Sequence, residues 1–347
     1  MSGRLKLRRG VVVDADPLMV EVDGERRRAW ADEALLGEMR EGDEVVVNVA
    51  ALDLELGSGG FDVVHVNLTR GLGASGDSRE HVMKLNYTSL QHPIPPVELP
   101  VRLPGRERGK RAPGGESDMP VLVLPLHGHL APAAWAAAQA APGLKVGYVQ
   151  TGGGALPGSL SRDVAQLRQR DLLCGHITAA PSYGGEHEAL STAGALDAVA
   201  GSLDWDAAIV GPGPGIIGSE TRLGHGGMAA LDSAHAALAL GLPTLLSPRL
   251  SAADPRERHR GVSHHTLTVV ELLLGGVEVP LPEGNPEVAS ELASAAGDRH
   301  HLHEAPADIN GYAASGLPAR TMGRGIGEDP LFFAAALAAG AALRREE

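Results

Sequence analysis

Over its first hundred residues the chain alternates apolar and polar positions in short runs broken by turn residues. Val11, Val12 and Val13 stop at Asp14, Asp16 and Pro17, and Leu18 to Val22 alternate as far as Asp23-Gly24. An Asp-Gly pair between two alternating runs predicts a tight β-hairpin. Gly42-Asp43 opens a run from Glu44 to Val49, Leu52 to Leu56 follow, and Gly57-Ser58-Gly59-Gly60 turn the chain into Phe61 to Leu68. About five closely spaced strands with little helix between them predict a small β-barrel or sandwich over residues 1–100. Residues 101–118 hold Pro104, Gly105, Pro113, Gly114 and Gly115 among six charges between Arg106 and Glu116, the pattern of a solvated linker or long loop.

From Met119 the rhythm changes. Apolar runs (Val121 to Leu126, Leu144 to Gln150, Leu173 to Ala179, Ala207 to Val210, Thr244 to Ser247) alternate with helical stretches. Those stretches are Pro132 to Ala141, Ser159 to Arg170, Glu186 to Ala200, Met228 to Leu240 and Ser263 to Leu274. The alternation predicts a Rossmann-like, doubly wound, mostly parallel α/β domain over residues 119–347. Right-handed crossovers then gather every strand-to-helix loop on one edge, where such sheets bind ligands. Leu331 to Leu343 read as a helix apolar all round, to be buried in the core or in a contact between copies of a homo-oligomer.

Composition narrows the function. The 347 residues are 43% hydrophobic and 21% charged with a formal net charge of −13, an ordinary globular balance. Residues 1–118 hold 16 basic and 20 acidic side chains and the remainder 14 and 23, so neither part offers the broad basic field that nucleic acid requires. The start, Met1 to Lys6, lacks an apolar signal core, and Leu331 to Leu343 fall short of a bilayer span; a cytoplasmic protein with no membrane partner is expected. Cys174, the sole cysteine, excludes an internal disulfide and a multi-cysteine zinc site and reads as a small buried hydrophobe.

Three strand-end loops carry candidate chemistry. Gly152, Gly153 and Gly154 follow the second α/β strand, with Ser159 placed to cap the next helix; they suit either close approach of an anion or a tight turn. Gly213, Gly215 and Gly218 satisfy G-x-G-x-x-G, and His225 beyond them is a side chain that can reach a ligand, but Gly224, Gly226 and Gly227 intervene before the next helix and no acid ends the next strand. That departs from a dinucleotide fingerprint and leaves another anion or polar ligand, with no cofactor named. The third loop runs Asp254-Pro255-Arg256-Glu257-Arg258-His259-Arg260-Gly261-Val262-Ser263-His264-His265. Ser263 is the expected helix cap, Arg256 and Arg258 suit a phosphate or carboxylate, and His259 or His264, with Asp254, suit acid/base work. His259, His264 and His265 also suit metal ligation, although adjacent helical residues point about 100° apart, so His264 and His265 do not easily share one metal without help from elsewhere.

Softer candidates surround these. His127-Gly128-His129 has H-x-H spacing that suits a metal if extended; Glu186, His187 and Glu188 suit a helix dipole. His300, His301 and His303 fall in an irregular late segment, Arg320, Arg324, Glu328 and Asp329 read mainly as caps, and Arg26-Arg27-Arg28 as a solvated strand edge. Among the four lysines few candidates exist for a lysine nucleophile, and no G-x-S-x-G, Walker A or H-E-x-x-H occurs.

Gly42-Asp43 to Val49, Leu56 to Gly60, Met83-Lys84-Leu85 to Gln91, Gly153 to Pro157, Gly213 to Ile216 and, most specifically, Ala253-Asp254-Pro255 to Thr266 resemble an uncharacterised bacterial family, domain of unknown function 3866. The resemblance implies a bacterial intracellular protein of no known reaction. It departs at Gly152, where the family pattern carries an acid before its glycine pair. Two function classes stay open. One is a hydrolase or group transferase acting on a small anionic or phosphorylated metabolite at the sheet's carboxyl edge. The other is a non-catalytic sensor or assembly protein whose β-domain contacts a protein partner.

Overall fold

A computed structural model describes residues 4–55, 59–73, 80, 82–99 and 118–344 of the chain. The chain divides into two compact units, residues 1–79 and 80–347.

The first unit is a closed barrel of β1 (Leu7–Ala15), β2 (Leu18–Val22), β3 (Glu25–Trp30), β4 (Glu44–Asn48) and β5 (Asp62–Asn67), in the order β1-β2-β3-β5-β4. The predicted hairpin joins β2 and β3, with Asp23 and Gly24 at φ 51° and 83°. Period-two alternation points Val12, Val20, Val22, Val45, Val47 and Val64 into the barrel core. Two one-turn helices, α1 (Glu33–Leu36) and α2 (Ala50–Asp53), interrupt the strands. The second replaces the strand expected from Leu52: the Ala50 amide donates to Asn48 Oδ1 at 3.1 Å and starts a helical turn. Arg27 is no solvated edge residue, since its guanidinium donates to Asp62 at 2.6 Å and Asp53 at 2.7 Å. Gly57 and Ser58 lie outside the described residues.

The second unit opens with an antiparallel pair, β6 (Val82–Lys84) and β7 (His92–Ile94), so residues 80–99 group with it and not with the barrel. Residues 101–117 of the expected linker lie outside the described residues. The main sheet contains β8 (Val121–Val123), β9 (Val146–Thr151), β10 (His176–Ala179), β11 (His187–Ala189), β12 (Ala207–Pro212) and β13 (Thr244–Leu246). After a separate small pair, β14 (Leu250–Ser251) and β15 (Gly261–Val262), it is completed by β16 (Glu278–Pro282) and β17 (His301–Ala305). Its order is β11-β10-β9-β12-β8-β13-β16-β17 and every pair is parallel.

Helices cover both faces. On one, α3 (Leu130–Ala140), α4 (Arg162–Gln169) and α10 (Pro330–Ala341) bury Leu130, Leu167 and Phe333, with α9 (Ile309–Ala314) beside them. On the other, α5 (Thr192–Gly201), α6 (Ala229–Ala239), α7 (His264–Leu272) and α8 (Pro286–Ala296) bury Leu196, Ala234, Val269 and Leu292. The chain leaves β8 and β9 through α3 and α4 on the first face and returns through α5 and α6 on the second. Neighbouring strands β9 and β12 therefore send their loops to opposite faces, which opens a crevice at the carboxyl edge.

The structure corrects two expectations about element boundaries. The helix expected from Glu186 starts at Thr192, because residues 187–189 pair with β10 and Glu188 is tied to the buried Lys84 ammonium and to Thr178 Oγ1 at 2.6 Å. Helix α4 is capped by Ser161, not Ser159: the Val164 amide donates to its Oγ at 3.1 Å. The apolar C-terminal helix, expected in the core or in a contact between copies, is buried in its own unit from Phe332 to Gly340. Among the described residues no helix is long and apolar enough to cross a membrane.

Candidate functional site

The glycine loops serve each other before they serve any ligand. A Cβ on Gly226 would lie 1.8 Å from the Gly153 carbonyl oxygen, one on Gly154 2.1 Å from that of Gly213, and one on Gly213 2.2 Å from that of Ala155. Backbone therefore packs directly on backbone where the loops after β9 and β12 meet, and the Ala155 amide donates to Pro214 O at 2.7 Å. The 213–218 segment does not open a helix. Ser219 N donates to Gly224 O, Gly226 N donates to Ile217 O, and Gly218 bridges His225, so the segment closes as a loop and delivers His225 to the start of α6. Gly215 and Gly218 have no backbone this close to a Cβ position. Beside the junction lies a cavity of about 290 Å³ whose lining includes Gly152, Gly153, Pro181, His225, Asp232 and Ser233. Gly226→Ala is expected to destabilise the protein by about 1–3 kcal/mol through this overpacking, read as a lowered thermal midpoint. Unchanged melting would show that the loops part easily.

Four histidines gather where this junction meets the loop after β13. Ring centroids are 3.6 Å apart for His225 and His265, 4.4 Å for His264 and His265, 4.9 Å for His259 and His264, and 5.4 Å for His225 and His264. One ring nitrogen from each of His225, His264 and His265 lies within 4.8 Å of the others. His225 Nε2 donates to Arg222 O at 2.9 Å, which leaves Nδ1 as a lone-pair atom; that atom is buried with no hydrogen-bond partner among the described residues. A carbonyl fixing the far nitrogen while the near one stays open is how metal-bound histidines are oriented. His264 and His265, set apart by helix azimuth, are thus brought near a third ring, with the His225 and His265 planes 6° from parallel. Side chains of a first helical turn lean back over the helix N-terminus, and the 225 loop brings the third ring to them.

Ser263 caps α7 as expected, its Oγ accepting from His265 N at 3.3 Å while lying 2.7 Å from His259 Nδ1. Burial, then the charges of Arg249 and Arg256, push the His259 pKa down to about 3. Burial, then His225 and Arg249, push His265 down to about 2, and burial lowers His225 and His264 as well. The cluster is therefore neutral and rich in lone pairs at physiological pH. His259 does not fit the role of an acid/base group poised near neutrality.

Asp254 does not fit that role either. It is fully buried and accepts from Arg256 Nε and Nη2, each at 2.9 Å, from Arg324 at 3.3 Å and from Arg249 at 3.4 Å. Burial alone would raise its pKa, but the bonds and charge of Arg256, with Arg324, hold the carboxyl well below the usual range. It is a permanent anion that anchors the loop. Of the predicted anion-binding arginines, Arg256 is committed to Asp254, and Arg258 contacts the exposed Glu220 at 3.2 Å. Sequence reasoning missed Arg249, a lone basic residue after β13, buried, whose Nη1 lies 3.3 Å from His265 Nδ1. Arg324 and Asp329, expected as caps, form a partly buried pair at 3.0 Å; Asp329 stands at the N-cap of α10 without a side-chain cap bond and accepts from Ser251 Oγ at 2.6 Å. His127 and His129 lie in a helical turn and diverge, one to Ser161 Oγ at 2.7 Å and the other to Ser247 Oγ at 2.9 Å, so they make no H-x-H ligand pair.

A family model described as "Protein of unknown function (DUF3866)" matches residues 28–340. No curated protein and no solved structure matches the chain.

Proposed function

We propose that this chain, which belongs to the DUF3866 family, is a metal-dependent hydrolase or group transferase acting on a small anionic or phosphorylated metabolite at the carboxyl edge of its parallel sheet. The observation that carries the reading is the convergence of His225, His264 and His265, with the buried Nδ1 of His225 unpaired, on the rim of a cavity that His225 itself lines. Three neutral imidazoles suit a borderline first-row cation such as zinc and leave coordination positions open. A cation so held polarises bound water or a substrate oxygen. His265 would hold the cation through a ring nitrogen; were that Nδ1, it would give up the long contact from Arg249 Nη1, whose guanidinium keeps Asp254 as an acceptor. The cation, with Arg249 and Arg258 near it, favours an anionic substrate. The net charge of −13 argues for a small anion over nucleic acid, and we take the protein as bacterial and cytoplasmic.

Cobalt(II) titration of the full chain, followed by visible absorption, is expected to show a saturable His-bound spectrum. His225→Ala and His265→Ala are each expected to weaken it by about 100-fold or more. The cobalt- and zinc-loaded protein is then assayed on phosphate and carboxylate esters. Equal affinity in both variants defeats the reading, and tight binding without turnover of any ester removes its catalytic half.

A further inference from the structure

We propose a second divalent-cation site on the outer rim of the main sheet, formed by Glu278, His301 and His303, which clips terminal strand β17 to β16. Side chains two apart on a strand share a face, so the H-x-H of β17 presents both rings on one side. Their centroids are 5.3 Å apart with the planes 26° from parallel. Glu278 is the direct lateral partner of His301 in the parallel register, so its carboxylate projects to the same face. One ligand atom from each of the three residues lies within 4.8 Å of the others.

The second observation is on His303. Its Nδ1 is buried with no hydrogen-bond partner among the described residues. A polar atom withdrawn from water and left unpaired is costly, and a cation satisfies it. The sequence pattern places these histidines in an irregular surface segment; as an edge strand the same residues acquire the alternation that makes H-x-H a chelating pair.

Two imidazoles and one carboxylate suit zinc, nickel or copper better than magnesium or calcium, which prefer all-oxygen shells. The ligands come from two strands paired by their ladder, so the bound ion cross-links the rim of the sheet. None of the three belongs to the histidine cluster after β12 and β13, and this site does not depend on that reading.

Equilibrium dialysis of the intact chain against zinc is expected to give two bound equivalents. The double variant His301→Ala/His303→Ala loses one and keeps the other, whereas His225→Ala/His265→Ala does the reverse. Glu278→Gln, which keeps size and hydrogen bonding, is expected to weaken the rim equivalent at least tenfold with an unchanged circular dichroism spectrum. Copper(II) paramagnetic resonance on the His225→Ala/His265→Ala protein is expected to show mixed nitrogen and oxygen ligation. The proposal is overturned if the His301→Ala/His303→Ala protein still binds two equivalents. It is equally overturned if the wild type binds only one equivalent, and that one vanishes with His225 and His265.

Discussion

Asp254→Asn is expected to lower the thermal midpoint by roughly 10 °C, the largest stability loss of any single substitution in the loop after β13. The carboxylate has no exposure to solvent and is the common acceptor of Arg249, Arg256 and Arg324. Asparagine keeps the shape but removes the charge, which leaves the buried Arg249 without an anion. Removing one partner of a buried pair costs about 3–5 kcal/mol, because the survivor remains desolvated, and each kcal/mol moves the midpoint of a unit this size by about 2–4 °C. Arg256→Met is expected to cost far less, since that guanidinium is 43% exposed and recovers water when unpaired. Differential scanning calorimetry of both variants decides the point; an Asp254→Asn midpoint within about 2 °C of wild type would show that the arginines are satisfied without it.

The same loop shows how far sequence patterns carry. The barrel and the βα alternation were legible because burial of one or both strand faces writes period two or continuous apolar runs directly into the residues. Ser263 as a cap, and the gathering of His259, His264 and His265 at a strand end, follow from local chemistry and were legible too. What failed was partnership across sequence distance. Glycine tolerates any close neighbour, and nothing local to Gly153 or Gly213 distinguishes a phosphate from the carbonyl of another loop. Asp254 has the composition of a catalytic acid, and only its three arginines, one of them 70 residues away, make it an anchor. Helix azimuth sets His264 and His265 apart; His225 was legible as a side chain able to reach a ligand, but its approach to within 3.6 Å of the His265 ring comes from a separate loop. Residues 187–189 read as helix because a three-residue strand is too short to show a period, and its pairing is fixed by Lys84, about a hundred residues upstream.

Acidification below about pH 6.5 is expected to destabilise the second unit, and two histidines outside both proposed cation sites alone contribute about 3 kcal/mol per pH unit. His129 is fully buried against Phe332, its Nδ1 is 2.9 Å from Ser247 Oγ, and its Nε2 has no partner among the described residues. His176 is buried with its ring stacked on Tyr148 at 5.5 Å, and its Nε2 is 3.2 Å from Gln150 Oε1. Burial, assisted by nearby cationic groups, pushes each down to about 3. An unfolded imidazole takes its proton near pH 6.5, so between about 6.5 and 3 the unfolded chain carries a proton at each of these two that the folded one refuses, as it also does at His259 and His265. Stability is therefore greatest above pH 6.5 and falls as pH drops toward 3. The slope is about 1.4 kcal/mol per unit for each histidine. Against a total stability of about 5–15 kcal/mol, a drop of two to four pH units reaches unfolding. The depressed carboxyl of Asp254 adds its loss in the same direction, but only below the ordinary carboxylate range near pH 4. Urea midpoints measured from about pH 7.5 down to pH 5 test the slope, and His176→Gln, which keeps a polar group beside Gln150, is expected to lower it by about 1.4 kcal/mol per pH unit. Midpoints that stay level across that range would mean that these imidazoles accept protons in the folded state.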